Sequence, residues 1–191
     1  MVLNLGRAVQ FAALLWPVAE LALAAATRGK AARGTVRDRG SLGLMWGAIG
    51  AGLLGGIALA PVRAARIPLP APWLQGAALV LLLGGLAIRV AAIITLGRFF
   101  TAKVSILEDH RLVRTGLFRI IRHPSYTGLL LAFLGLGLTF GSTLSLAVIL
   151  VPITASVLYR IRVEEAFLEE RFGEEYGEYR RSTWCLVPGL F

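Results

Sequence analysis

Apolar positions run along the chain in long stretches, and charged positions fall in the gaps between them. A helix needs roughly 17 to 25 apolar residues to cross a bilayer core of about 30 Å. Ala8 to Ala26, Leu42 to Ala60 and Trp73 to Gly97 each reach that length. A fourth apolar region, Tyr126 to Tyr159, is too long for one crossing and breaks at Phe140, Gly141, Ser142 and Thr143. It predicts a tight helical hairpin with arms over 126–141 and 143–159. Because the arms are short, they are expected to tilt or to lie in a thinned or protein-lined region. The pattern therefore predicts an all-α integral membrane protein, a single membrane domain over 1–191, with five transmembrane helices of which the last two form the hairpin. The first run is read as a retained span rather than a cleaved leader, because Pro17 and Glu20 interrupt it.

Charge then orients the spans. Arg28, Lys30, Arg33, Arg37 and Arg39 follow the first span, and Arg98, Lys103, Arg111, Arg114, Arg119 and Arg122 follow the third. The interval after the second holds only Arg63 and Arg66. Basic loops stay on the cytoplasmic side, which places the amino terminus outside, the carboxy terminus in the cytoplasm, and the chain in the cell membrane as a multi-pass protein. The net charge of +9 is thereby accounted for by topology, and no nucleic-acid partner is expected. At 57% hydrophobic and 16% charged the chain is neither disordered nor an ordinary soluble globule. Cys185 is the single cysteine, so it has no partner within the chain and is expected to be a reduced thiol.

Polar chemistry gathers in two segments, 97–125 and 160–191, both expected on the cytoplasmic side. They hold both histidines and nine of the eleven acidic residues, and a site built there would open to cytosolic solutes on one face and to lipid on the other. The run Arg122, His123, Pro124, Ser125, Tyr126, Thr127, Gly128 sits where the fourth span begins. Proline suits the first turn of a helix, and the exposed amides of such a turn favour an anion. The same run also reads as an interfacial anchor of Arg, His and Tyr, and the residues alone leave both readings open.

Arg160 and Glu164, four apart, share a helix face. The pair is either a surface salt bridge or a site holding a cationic cofactor beside an anionic substrate. Phe167, Leu168, Phe172, Tyr176 and Tyr179 follow at near-helical spacing and read as the packing stripe of an interfacial helix. Glu20 and Arg89 both lie about 11 Å below the inner boundary at 1.5 Å per residue. Charges at that depth are usually paired or functional, so the two are expected to face the bundle interior, paired or lining a substrate passage, with snorkelling as the alternative for Arg89. Gly47, Gly50, Gly52, Gly55 and Gly56 read as close helix packing. The histidines and the cysteine lack metal-ligand spacing, so no metal is expected. There is also no phosphate-binding glycine loop and no nucleophile-elbow serine.

Taken together, His110, Arg111, Leu112, Val113, Thr115, Gly116 and Phe118, then Arg122 to Gly128, then Glu164, Glu165, Leu168, Phe172, Gly173, Glu174, Glu175, Tyr176 and Tyr179 form a specific combination. It resembles the isoprenylcysteine carboxyl methyltransferase family, related to membrane phospholipid methyltransferases, over about half the chain, from Leu96 to Phe191. The resemblance implies S-adenosyl-L-methionine as methyl donor, with S-adenosyl-L-homocysteine as product, in a wrapped cytoplasmic pocket. Carried over residue by residue, the cofactor contacts are Lys103, His110, Arg111, Leu112, Val113, Phe118, His123, Pro124, Ser125, Tyr126 and Glu164. Lys103 departs from the family's identity, and Phe118 stands where a tyrosine is frequent. Arg160 matches the family's substrate-binding arginine. Arg160 and Arg122 are the candidate catalytic residues, and Arg160, Glu165 and Arg89 the candidate substrate contacts.

The resulting expectation is a membrane methyltransferase acting on a lipidic or amphipathic acceptor drawn from the bilayer, first of all the carboxylate of an isoprenylcysteine-like substrate. Phospholipid N-methylation and small-thiol S-methylation are the alternatives within the same chemistry. A transporter subunit or structural membrane protein is the alternative outside it.

Overall fold

The computed structural model describes residue 16 and residues 34–107 and 111–191. The first predicted span, apart from Trp16, and with it Glu20, lies outside the described residues, as does His110. Five helices follow in order: α1 (Ser41–Leu59), α2 (Ala71–Leu96), α3 (Pro124–Leu138), α4 (Thr143–Phe172) and α5 (Glu174–Ser182). By length and composition α1, α2 and α4 can each cross a membrane, whereas α3 is apolar but shorter. Fifteen residues of α3 rise only about 22 Å.

The helix bounds of α1 and α2 fall within two residues of the predicted second and third spans. The helix that holds the last predicted span, α4, does not stop at Tyr159 but continues to Phe172. The chain from Arg160 onward is polar yet free of helix breakers, so hydrophobicity ends there while the helix does not. Gly173 stops it with φ 53°, its N–H bonding to Glu169 O at 2.8 Å. The short α5 then begins with Glu174 and Glu175 and ends with Arg180 and Arg181, the charge order a helix dipole favours.

Small residues set how the helices pack. Gly85 of α2 and Gly128 of α3 face each other so closely that a Cβ on Gly128 would lie 2.5 Å from Gly85 O and 2.7 Å from Arg89 N. A Cβ on Gly135 would meet Ala78 O and Leu82 N at 2.6 Å. Backbones approach this closely only where side chains are absent. Between α1 and α4 the same role falls to Gly52, Gly55 and Gly56, which abut Val148 and Ile149. The glycine expectation is corrected for Gly47 and Gly50, which meet nothing within 4 Å among the described residues. Leu82, Leu129, Phe133, Ile149, Ile153 and Val157 fill the core between these pairs.

A second departure from the all-α expectation is a ribbon of two short antiparallel strands, β1 (Gly34–Val36) and β2 (Ser105–Leu107), with Thr35 opposite Ile106. Three-residue strands leave no alternation for a sequence to display. The ribbon brings the residues before α1 against those after α2. At the other end of the chain, Trp184 and Cys185 run beside Ile120 to His123, with Arg122 N–H on Trp184 O at 2.8 Å and His123 N–H on Cys185 O at 3.1 Å. Ribbon and tail thus bind the polar segments onto the ends of α3 and α4.

Candidate active site

A cavity opens where α2, α3 and α4 end and the segments around residues 100 and 113 cross between them. It encloses about 1200 Å³ of empty space, counting its open mouth, and Arg89, Phe118, Tyr126, Arg160, Glu164 and Tyr176 are among its walls. Each side chain arrives there for a local reason. Pro124 starts α3, which places Ser125 and Tyr126 on its first turn. The continuation of α4 beyond the apolar stretch carries Arg160 and Glu164 one turn apart.

A continuous hydrogen-bonded chain crosses this wall. The Tyr126 hydroxyl donates to Glu164 Oε2 at 2.8 Å and accepts from Arg160 Nε at 2.8 Å. Arg160 Nη1 donates to Asp38 Oδ1 and to Ser41 Oγ, both at 2.9 Å, and its Nη2 donates to Ala102 O. Arg160 and Glu164 are thus joined through Tyr126, and neither forms an exposed i,i+4 bridge. Arg160 is buried, whereas the Glu164 side chain keeps 33% of its exposure and faces the cavity.

The adjacent carboxylate does something else. Glu165 Oε1 accepts from Arg122 Nε at 3.0 Å and lies 3.1 Å from His123 Nε2. Arg122 also donates from Nη1 to Arg180 O at 3.0 Å and to Thr183 O. This cluster staples the start of α3 to α4 and to the tail. Neighbours one position apart on a helix point in different directions, which is why Glu164 and Glu165 part company.

Most of the residues expected at the site converge. Lys103, Leu112, Val113, Phe118, Arg122, His123, Pro124, Ser125, Tyr126, Arg160, Glu164 and Arg89 all contribute to the cavity wall. Arg89 is buried and donates from Nη1 to Ser125 Oγ at 2.8 Å and Ser125 O at 3.2 Å, so it faces the bundle and does not snorkel. Two expected residues stand elsewhere: Arg111 is exposed and Glu165 is not part of the wall. Phe167 and Leu168 of α4 pack with Val104 and Val163, as the stripe reading expects, and also line the cavity, where Tyr176 and Tyr179 join them because Gly173 turns α5 back over it.

Asp38 and Ser41 have no counterpart in the sequence reading. Their one outward sign is an acid inside an otherwise basic loop, just ahead of a span. His123, Glu165 and Cys185 also come together, with ligand atoms within 4.8 Å of one another. Their shared oxygen already accepts from the Arg122 guanidinium, a cation that opposes a metal there. Burial pushes the Cys185 thiol above its usual range, with the Glu165 carboxylate adding to the shift.

Residues 78–170 match the isoprenylcysteine carboxyl methyltransferase family. The chain is 38% identical over 118 residues to protein-S-isoprenylcysteine O-methyltransferase A of Arabidopsis thaliana, covering 61% of this chain and 60% of the relative. To the protein-S-isoprenylcysteine O-methyltransferase of Saccharomyces cerevisiae it is 36% identical over 102 residues, covering 52% and 43%. The solved structure of the eukaryotic intramembrane Ras methyltransferase of this family superposes with a TM-score of 0.58 at 24% identity, over 75% of this chain and 51% of that one. The chain thus spans about 60% or less of these relatives' length, and the segment shared with the family contains Arg89, Tyr126, Arg160 and Glu164.

Proposed function

We propose that this chain is an integral-membrane methyltransferase that takes its methyl group from S-adenosyl-L-methionine and gives it to the carboxylate of an isoprenylcysteine-like acceptor. The observation that carries the reading is the Arg160–Tyr126–Glu164 chain, which places one guanidinium and one half-buried carboxylate in the wall of a single cavity. The carboxylate suits a sulfonium and the guanidinium suits a carboxylate.

The residues fit the donor on a further count. The Tyr176 hydroxyl is buried close to the Glu165 carboxylate, but makes no hydrogen bond of ordinary geometry among the described residues. Burial, and the negative charges of Glu165 and Glu164, raise its pKa well above the usual tyrosine range, so it remains a protonated donor for a polar group of the ligand. Phe118 and Tyr126 supply flat apolar faces to the same cavity.

When bound, S-adenosyl-L-methionine would supply an electrophilic methyl group whose displacement from sulfur by a carboxylate oxygen requires no proton transfer. A carboxylate is already nucleophilic, so the chain's task is positioning and exclusion of water. In this reading Glu164 faces the positive charge, Arg160 orients the acceptor, and His123, Pro124, Ser125, Leu112 and Val113 shape the donor's end of the cavity. Arg122, Glu165 and the tail hold that wall in place. Five spans, the last two a hairpin, with the cavity on the cytoplasmic side of the cell membrane, complete the proposal.

Calorimetry with S-adenosyl-L-homocysteine tests the enzyme class. Saturable binding that weakens on Glu164→Ala is expected. No binding by the intact protein in lipid would overturn the proposal and favour a non-enzymatic membrane component.

A further inference from the structure

Arg160 already holds a carboxylate, and it is the protein's own. Asp38 meets Arg160 Nη1 at 2.9 Å across 122 positions of sequence, with side-chain exposures of 12% and 4%. The two partners depend on this contact unequally. Asp38 Oδ2 also accepts from the Leu42 N–H at 3.0 Å, and its Oδ1 from Ser41 Oγ at 3.1 Å and the Val104 N–H at 3.3 Å. Those three donors stay with Asp38 if Arg160 lets go. Arg160 has less to fall back on. Its remaining hydrogen-bond partners, Tyr126, Ser41 and Ala102 O, are neutral, and the Glu164 charge is linked to it only through Tyr126, so a buried cation that loses its direct counter-ion is costly.

A carboxylate grips a guanidinium best by taking two of its N–H groups side by side. In Arg160 the Nε side is held by Tyr126 and the Nη1 side by Asp38, so an acceptor carboxylate must displace a resident. Replacing Asp38 exchanges one carboxylate for another and leaves the charge on Arg160 balanced. Replacing Tyr126 would instead break the link to Glu164.

We propose, resting on the carboxylate-acceptor reading above, that Asp38 is a resident counter-ion which the acceptor's carboxylate replaces on Arg160, and which takes Arg160 back once methylation has turned that carboxylate into an ester. The exchange makes Asp38 a specificity-determining residue. A neutral or cationic head group cannot compete with a carboxylate for the guanidinium. The product has lost the charge that won it the site, so the reaction itself loosens the product's hold.

The test uses the full chain in lipid nanodiscs, labelled S-adenosyl-L-methionine, and N-acetyl-S-farnesyl-L-cysteine as free acid and as methyl ester. Asp38→Asn keeps the shape and removes the charge. Its KM for the acid is expected to fall roughly tenfold or more, the scale of one charged hydrogen bond, while inhibition by the ester hardly changes. Ser41→Ala, which removes a hydroxyl shared by Asp38 and Arg160, is expected to lower KM in the same direction by less, and it decides the matter should the Asp38 variant fail to fold. A KM that rises or stays level while kcat falls would mean that Asp38 only positions Arg160, and would overturn the exchange alone. Absence of transfer to the acid by the unaltered protein would overturn the carboxylate reading, and the exchange with it.

Discussion

Tyr126 and Arg160, on different helices and 34 positions apart, meet at 2.8 Å, and the same Tyr126 hydroxyl reaches Glu164. One phenol therefore fixes the spacing between the guanidinium and the carboxylate that face the cavity. Tyr126→Phe keeps the ring and removes both bonds. Methyl transfer, read as kcat/KM, is expected to fall at least about tenfold, since a hydrogen bond to a charged group contributes about 1.5 to 3 kcal/mol. Unchanged kcat/KM would show that the hydroxyl does not organise the site.

Glu164 keeps a third of its side-chain exposure at the cavity wall. Glu164→Gln preserves the shape and the bond to Tyr126 but removes the charge. Binding of S-adenosyl-L-methionine, a cation, is expected to weaken about tenfold more than binding of the neutral S-adenosyl-L-homocysteine. Parallel titrations of the two ligands check this, and equal losses would contradict a role for the charge.

Gly128 and Gly50 make an internal control for packing. Gly128→Ala forces a Cβ into the backbone of α2 and is expected to cost about 1 to 3 kcal/mol, the usual range for overpacking. Gly50→Ala meets nothing within 4 Å among the described residues and is expected to be neutral or stabilising by up to about 1 kcal/mol, as alanine is the better helix former. Thermal unfolding in detergent reads both, and a harmless Gly128→Ala would contradict the close crossing of α2 and α3.

Asp38 gives a pH signature. Burial pushes its carboxyl up, but the bonds from the Leu42 and Val104 N–H groups, with the Arg160 charge and the Ser41 hydroxyl, outweigh burial and hold it below its ordinary value of 3.8. A depressed folded pKa contributes stability that is present above the unfolded value and lost as pH falls through the folded one. Unfolding midpoints of the unaltered chain and Asp38→Asn, measured from pH 6 down to pH 3, are therefore expected to differ most above about pH 4 and to converge below it. A constant difference would show that Asp38 carries no charge-dependent bond.

Helices α1 and α2 were legible in the sequence because lipid-length apolar runs leave few other structures open. The site was legible where its residues are close in sequence, as in Arg122 to Tyr126 and Arg160 to Glu164. Asp38 was not, since its meaning lies in a partner 122 positions away, and pairing at that range leaves no periodic trace. Glu165, expected at the acceptor, stands outside the cavity wall and pairs with Arg122, since a helix turns adjacent residues in different directions. Helix beyond Tyr159 was legible from the i,i+4 spacing of Arg160 and Glu164, but its unbroken continuity with the last span was not, because hydropathy marks where a membrane span ends and here the helix outlasts it.

Methyl transfer from labelled S-adenosyl-L-methionine to N-acetyl-S-farnesyl-L-cysteine, by the full chain in lipid nanodiscs, tests the central claim most directly. The predicted result is a base-labile labelled ester formed by the unaltered protein and lost on Arg160→Ala, while that variant still binds S-adenosyl-L-homocysteine. No labelled ester from the unaltered protein, or full transfer by Arg160→Ala, would contradict it.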